Sequence, residues 1–169
     1  MMATRSPRQG TSLKVCTVDP NPDTGALLPG AQFADAFRVT VDGHTLDAGR
    51  AAERMLGRSP RWIEKLLALR NFLVAPFGLK TGAPKEPGRY DIIGLFPVVS
   101  QTPDRLVAGF DDKHLDFRVA VDVATSGDSQ EVTATTLVLT HNLLGQIYLA
   151  TILPFHRLVV RSLLRQVAA

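Results

Sequence analysis

The chain has 169 residues, of which 45% are hydrophobic, and a net charge of +3 at pH 7. This length supports one core and is too short for two well-developed domains. The single cysteine, Cys16, excludes an internal disulfide. The four histidines are scattered without ligand spacing, which excludes the usual zinc sites, so we expect no metal.

The basic residues are unevenly placed along the chain. Arg5, Arg8 and Lys14 lie in an opening segment without acids, whereas the rest carries equal numbers of acidic and basic residues. A balanced body attracts phosphate weakly, so we do not expect a nucleic-acid partner. The opening segment lacks a secretory signal, and the most apolar run, residues 143–155, is shorter than the roughly 20 residues that span a bilayer. We therefore expect a cytoplasmic protein without a transmembrane segment.

The first third of the chain predicts a tail, a loop, a strand and a short helix. Residues 1–32 are polar or crowded with turn formers, which predicts a flexible tail and loop without regular elements. Residues 34–41 alternate, with an apolar face that includes Phe37, and form the first predicted strand. Asp47 is expected to cap a short helix that ends at Gly57.

A second helix is predicted directly after the first. Ser59 is expected to cap it, with Pro60 at the first helical position. It ends before Pro76, and residues 78–89, which are rich in glycine and proline, are expected to form a linker. One apolar stripe along it consists of Trp62, Leu66, Leu69 and Leu73, and a neighbouring apolar row consists of Ile63, Leu67 and Val74; the charged residues are expected on the more solvated side.

The second half of the chain predicts an antiparallel meander. The third of its strands is the clearest, because apolar residues from Leu115 to Val123 alternate with polar ones. Three of the polar residues, His114, Asp116 and Arg118, look like an acid–base pair with an anion clamp, but they point away from the apolar face. We therefore interpret them as exposed sheet surface. The four predicted strands are residues 91–99, 105–110, 115–123 and 131–140.

The last element is a long helix over residues 143–167 that begins at Asn142. Two adjacent apolar rows run along it, which predicts burial over much of its circumference. Pro154 removes one backbone hydrogen bond and predicts a bend. The solvated side is expected to carry the basic residues Arg157, Arg161 and Arg165.

Together these elements predict an α+β fold in which a curved antiparallel sheet wraps around the long C-terminal helix, with two short helices after the first strand. This arrangement resembles the helix-grip fold of START-like and polyketide-cyclase-like (SRPBCC) proteins, as a single domain over residues 33–169. In that fold the space between sheet and helix is often a cavity for an apolar small molecule. A filled core is the alternative.

Two groups of motifs are distinctive. The first is SPRWI at residues 59–63, LRNFLV at 69–74 and FGLK at 77–80; the second is HLDFR at 114–118, TLV at 136–138, HN at 141–142, Gly145, YL at 148–149 and PFHR at 154–157. They resemble the bacterial family called domain of unknown function 2867. The resemblance implies the fold but no reaction. Similar members also occur fused to nucleotide-binding reductase-like domains; this sequence contains none, so the resemblance implies no cofactor.

The polar candidates for binding lie on the last helix. His156 and Arg157 follow the bend at Pro154, and Tyr148 lies within about a quarter turn of His156. As structural alternatives, His156 bonds a local carbonyl, Arg157 pairs with a surface acid and Tyr148 is a core aromatic. No recognised catalytic motif occurs. The candidate ligand-binding residues are Tyr148, Ile152, Phe155, His156, Arg157, Phe117 and Trp62.

Three functions remain open at this point. The first is binding of a hydrophobic or amphipathic small molecule between the sheet and the last helix. The second is an enzyme of cyclase or hydratase type, in which His156 acts as acid or base and Tyr148 as a donor. The third is a protein-interaction module with a solid core, whose exposed apolar patch docks a partner or a second copy as a homodimer.

Overall fold

The structure, a computed structural model, describes residues 14–43, 45–57, 59–78 and 91–168. The expected tail before residue 14 and residues 79–89 of the expected linker lie outside the described residues. Two short 3-10 helices occur at Pro22–Leu27 and Ala75–Phe77. The main elements in chain order are β1 (Cys16–Val18), β2 (Phe33–Asp42), α1 (Ala48–Leu56), α2 (Arg61–Val74), β3 (Ile92–Ile93), β4 (Phe96–Gln101), β5 (Arg105–Asp111), β6 (Leu115–Ser126), β7 (Ser129–Thr140) and α3 (Leu143–Val167).

The strands form one antiparallel sheet in the order β1-β2-β7-β6-β5-β4-β3. The run from β4 to β7 is the predicted meander, and β2 pairs with β7 along its whole length. The two helices α1 and α2 follow β2, and α3 packs on the sheet. The α+β prediction is therefore confirmed, and the architecture is helix-grip-like.

Two expectations about strands are wrong. Residues 91–99 form β3 and β4 rather than one strand, because Gly94 adopts a φ of 62° and turns the chain between them. A Cβ at Gly94 would lie 2.5 Å from the carbonyl oxygen of Leu56, so this turn is pressed against the end of α1. The expected loop at residues 16–32 also contains regular structure, since β1 pairs with β2 and a 3-10 helix follows it.

The inner face of the sheet carries the core. Side chains alternate along β6 as predicted, and Val119 and Val121 are buried on this face. α1 packs over β5 and β6, whereas α3 packs over β2, β7 and α1. The helices contribute Ala51, Ala52, Met55, Ile63, Val160, Leu163, Leu164 and Val167. The core therefore lies under α1 and the C-terminal half of α3.

The outer face of the sheet carries ion pairs. Arg105 donates to Asp23 at 2.8 Å and also pairs with Asp122. The hydrogen bond from Arg105 favours the charged form of Asp23 and holds the pKa of that carboxyl below its usual range. Nε2 of His141 lies 3.0 Å from Asp116. The polar residues of β6 thus lie on the face away from the core, as the alternation predicted.

α2 starts at a different residue from the one predicted, and the stripe that begins at Trp62 is partly exposed. Its N-cap is Pro60 and not Ser59, and no side chain caps it; the Pro60 carbonyl accepts the Ile63 N–H at 2.9 Å. In the predicted stripe, Trp62 is 45% and Leu69 54% exposed, whereas Ile63 beside it is only 2% exposed. The helix therefore meets the core through the neighbouring row.

α3 begins at Leu143, as predicted, and Oδ1 of Asn142 accepts the Gly145 N–H at 3.0 Å. The expected burial around the helix is wrong, since Leu143 is 69%, Ile147 55% and Leu158 62% exposed. The sheet and α1 cover one side of the helix only, so an apolar side is left at the surface.

The arginines of α3 are not equivalent. Arg157 and Arg165 are exposed as predicted. Arg161 is half-buried: its guanidinium lies 5.3 Å from the ring centroid of Phe37, and its Nη2 donates to Thr17 Oγ1 at 3.0 Å. Its expected place on the solvated side is wrong, because α3 passes the β1–β2 edge of the sheet here. The bend at Pro154 stays a prediction.

Candidate functional site

An aromatic row crosses the inner face of the sheet. The strand register places Phe33, Val138, Phe117 and Phe110 side by side on β2, β7, β6 and β5. The ring centroid of Phe117 lies 5.7 Å from that of Phe110 and 5.1 Å from that of Phe96 on β4. Phe96, Phe110 and Phe117, which we call the aromatic row, are only half-buried. They therefore offer ring surface next to the core.

A polar pair lies at the β2 end of the same face. Asp35 is two residues after Phe33, so both side chains project from the inner face. His156 of α3 faces the sheet, and its Nε2 lies 3.1 Å from Asp35 Oδ1. The imidazole also meets the ring of Phe33 edge-on at 5.9 Å. We call these two side chains the His156–Asp35 pair.

The His156–Asp35 pair is mostly removed from water. The side chains of His156 and Asp35 are 15% and 13% exposed. Asp35 Oδ2 is buried and makes no hydrogen bond to the part of the chain that the structure describes. A buried carboxylate oxygen without a donor is costly, so such an atom commonly marks a functional position. Oδ2 can accept a hydrogen bond from a bound molecule, and the imidazole can give or take a proton.

Two open clefts border α3 and α1. The smaller, of about 350 Å³, lies between the N-terminal half of α3 and the end of the sheet where β2 begins and β7 ends; its lining includes Gln32, Thr140, Leu149 and Leu153. It lies one to two turns before His156 along the helix. The larger, of about 520 Å³, lies between α1 and the β3–β4 hairpin and is mainly polar. Neither cleft is lined by a residue that the sequence predicted for the site.

The structure brings some of the predicted residues together. His156 and Ile152 lie on the side of α3 that faces the sheet, and Phe117 belongs to the aromatic row. Tyr148 is half-buried on the flank of the same helix. The remaining candidates, Phe155, Arg157 and Trp62, are exposed.

Asp35 is not among the residues predicted for the site, although the sequence carries a signal for it. Asp35, Phe37 and Val39 are two residues apart along β2, so their side chains lie on the same face of the sheet. The alternation therefore puts a carboxylate on the apolar face. A charge on the buried face of a strand needs a partner. The partner, His156, is 121 positions away in the chain, and only the packing of α3 against β2 reveals it.

The comparison with curated proteins gave no match. Among solved structures, the crystal structure of CalU16 from Micromonospora echinospora is similar, with 12% identity and a TM-score of 0.28, over 78% of this chain and 85% of that chain. The family model described as "Protein of unknown function (DUF2867)" matches residues 27–163. This range includes both members of the His156–Asp35 pair and the whole aromatic row. It spans most of the chain, so the chain belongs to the DUF2867 family.

Proposed function

We propose that this protein binds an amphipathic small molecule on the inner face of the sheet, beside α3. The apolar part of the ligand lies along the aromatic row, and its polar group meets the His156–Asp35 pair. The observation that carries the proposal is the buried Asp35 Oδ2, which has no hydrogen-bond donor in the described chain and lies on a mostly apolar face. This is a START-like mode of binding.

The strand spacing gives the length of the ligand. Phe33, next to the pair, and Phe110 are separated by three strand-to-strand steps. At about 4.8 Å a step, this distance is roughly 14 Å. A chain or fused-ring compound of about this length reaches from His156 to the stacked rings.

The chemistry of Asp35 selects the polar group. A carboxylate accepts hydrogen bonds and repels other anions. Oδ1 already faces His156 Nε2, so Oδ2 remains for a hydroxyl or an ammonium of the ligand. We expect a long-chain alcohol or amine to bind better than the carboxylic acid of the same length.

Displacement of Nile red, a neutral apolar dye, tests this order. The alcohol and the amine are expected to displace the dye at roughly tenfold lower concentration than the acid, since a hydrogen bond to a charged group contributes about 1.5–3 kcal/mol. Asp35→Asn keeps the shape of the side chain and should remove the preference. Asp116→Asn is the matched control, because Asp116 also pairs with a histidine but lies on the outer face.

Three results would contradict the proposal. The first is that the wild-type protein takes up no dye and shows the mass of the bare chain in native mass spectrometry. The second is that the acid displaces the dye as well as the amine does. The third is that Asp35→Asn and Asp116→Asn have the same preference among the ligands. A solid core with self-association in sedimentation would instead favour the protein-interaction function.

The His156–Asp35 contact also supports a second candidate, an enzyme of cyclase or hydratase type. A carboxylate beside an imidazole orients the ring and supports its role as acid or base. Tyr148 would then act as a donor. His156→Gln should keep uptake of the molecule that copurifies with the wild type but abolish its conversion. If conversion persists in His156→Gln, His156 is not the acid or base.

A further inference from the structure

The exposed side of α3 is mainly apolar over the first half of the helix, where Gln146 is an exposed polar residue at its margin. Residues at spacings of three and four share this side, and all of them are exposed. Thr151 lies among them, but its hydroxyl donates to the Ile147 carbonyl at 2.8 Å, so its methyl group is left outward. We call this surface the outer stripe of α3; it consists of Leu143, Ile147, Ala150, Pro154 and Leu158. It is about 22 Å long.

The same side of the helix continues as a basic surface. Arg157 and Arg165 are exposed next to and beyond the outer stripe. Residues 143–167 contain no aspartate or glutamate. The helix therefore presents an apolar surface followed by positive charge, without an acid to offset it.

We infer that the outer stripe of α3 binds the surface of an anionic lipid bilayer. A helix with one apolar side and flanking arginines lies in the interfacial plane, where its apolar residues enter the acyl boundary and the cations meet lipid phosphates. The observation is independent of the inner face, so it does not rest on the proposed ligand.

The fold favours lying on the membrane over crossing it. α3 has the length and mean hydropathy, 1.4 over its most apolar stretch, of a membrane span, and only 11% of that stretch is buried. Its C-terminal half, however, is fixed in the core through Val160 and Leu164. Pro154 also leaves the Ala150 carbonyl without its helical donor, on the outer stripe, where it needs water or a headgroup.

Charge placement disfavours a second copy of the chain as the occupant. Parallel pairing of two outer stripes sets Arg157 and Arg165 against their own copies. Antiparallel pairing centred on Ala150 brings the two apolar halves together, but it places Arg157 of each helix against Leu143 and Leu144 of the other, with no acid of either helix beside it. An anionic bilayer offers acyl chains to the apolar half and phosphates to the basic half at the same time.

Co-sedimentation with vesicles tests the inference. The protein is expected to bind vesicles of phosphatidylcholine with phosphatidylglycerol, more weakly when salt is raised, and to bind phosphatidylcholine alone poorly. Ile147→Gln with Leu158→Gln should lower binding to the anionic vesicles by at least roughly tenfold. Arg157→Gln with Arg165→Gln should lower it by roughly thirtyfold. Val99→Gln, at a 56% exposed valine of β4, is the matched control and should change nothing.

Thermal melting checks that the variants fold, which is expected because all four substituted residues of α3 are exposed. The inference is overturned if the wild type does not bind anionic vesicles, if it binds neutral vesicles equally well, or if the outer-stripe variants bind as the wild type does. It is also overturned if the stripe instead forms a dimer in sedimentation that Ile147→Gln with Leu158→Gln dissolves.

Discussion

Replacing the His156–Asp35 pair by two leucines, Asp35→Leu with His156→Leu, should make the protein more stable and unable to bind its ligand. The side chains of His156 and Asp35 are 15% and 13% exposed, so keeping a charged carboxylate there has a cost in desolvation free energy. Leucine is close to histidine in volume and larger than aspartate, and it adds apolar contact with Phe33. A residue retained for binding rather than folding behaves in this way.

The magnitude follows from the contacts of Asp35. Removing the unsatisfied Oδ2 gains about 1–3 kcal/mol, and losing the hydrogen bond between Oδ1 and Nε2 costs about 1.5–3 kcal/mol. Apolar replacement of a buried pair is on balance neutral or stabilising, by up to about 4 kcal/mol. We expect about 1–2 kcal/mol of added stability, which in a domain of this size raises Tm by roughly 2–8 °C.

The single variants complete the cycle. His156→Leu alone leaves the Asp35 carboxylate buried without a partner and should destabilise the protein by about 3–5 kcal/mol. Adding Asp35→Leu should reverse the loss, and this sign change is the mark of coupling between the two sites. Urea unfolding followed by fluorescence of the single tryptophan, Trp62, measures all four proteins.

A double variant less stable than the wild type by more than about 1 kcal/mol would refute this reasoning, because the pair would then make a net favourable contribution to the free energy of unfolding. Retained dye uptake in the double variant would refute the role of the pair in binding. His141→Leu serves as the control, since the His141–Asp116 pair lies on the outer face, and its dye uptake should equal that of the wild type.

Three further outcomes are expected from urea unfolding. Gly145→Ala should cost about 1–3 kcal/mol, because its Cβ would clash with the backbone carbonyl oxygen of His114, whereas Gly25→Ala, with nothing within 4 Å, should be close to neutral. Leu164→Ala should cost about 2–5 kcal/mol, because Leu164 is 0% exposed and the change leaves a cavity. Asp23→Asn should lower stability slightly at neutral pH, because Arg105 depresses the pKa of Asp23; the difference from the wild type should vanish as the pH falls well below the usual carboxyl pKa of 3.8.

Local patterns predicted the elements whose determinants lie close together in the chain. The alternation of β6 gave its inner and outer faces, and the Asn142 side chain fixed the first residue of α3. Gly94 shows the limit, because a continuous apolar run around it was predicted as one strand. Gly94 has a left-handed conformation and lies against the end of α1, and the pattern of apolar residues does not show this contact between elements.

The site was only half predicted for the same reason. His156 was found as a polar residue on an apolar helix, but its partner was not, since the contact with Asp35 depends on how α3 lies across β2. The burial of α3 was predicted from its apolar width alone. A run of apolar residues indicates that burial of that surface would be favourable. Whether the protein buries it depends on which other elements pack against it.

The two halves of α3 therefore serve different purposes. The C-terminal half supplies buried side chains such as Leu163 and Val167, and their burial stabilises the domain. The N-terminal half exposes Leu143 and Ile147, whose apolar surface contributes nothing to folding and costs solubility. On our inference, the surface of an anionic bilayer covers this part of the helix. Polar substitutions at exposed positions of the N-terminal half, such as Leu143 and Ile147, should thus leave stability unchanged while they alter binding, and substitutions after His156 on the buried side should do the reverse.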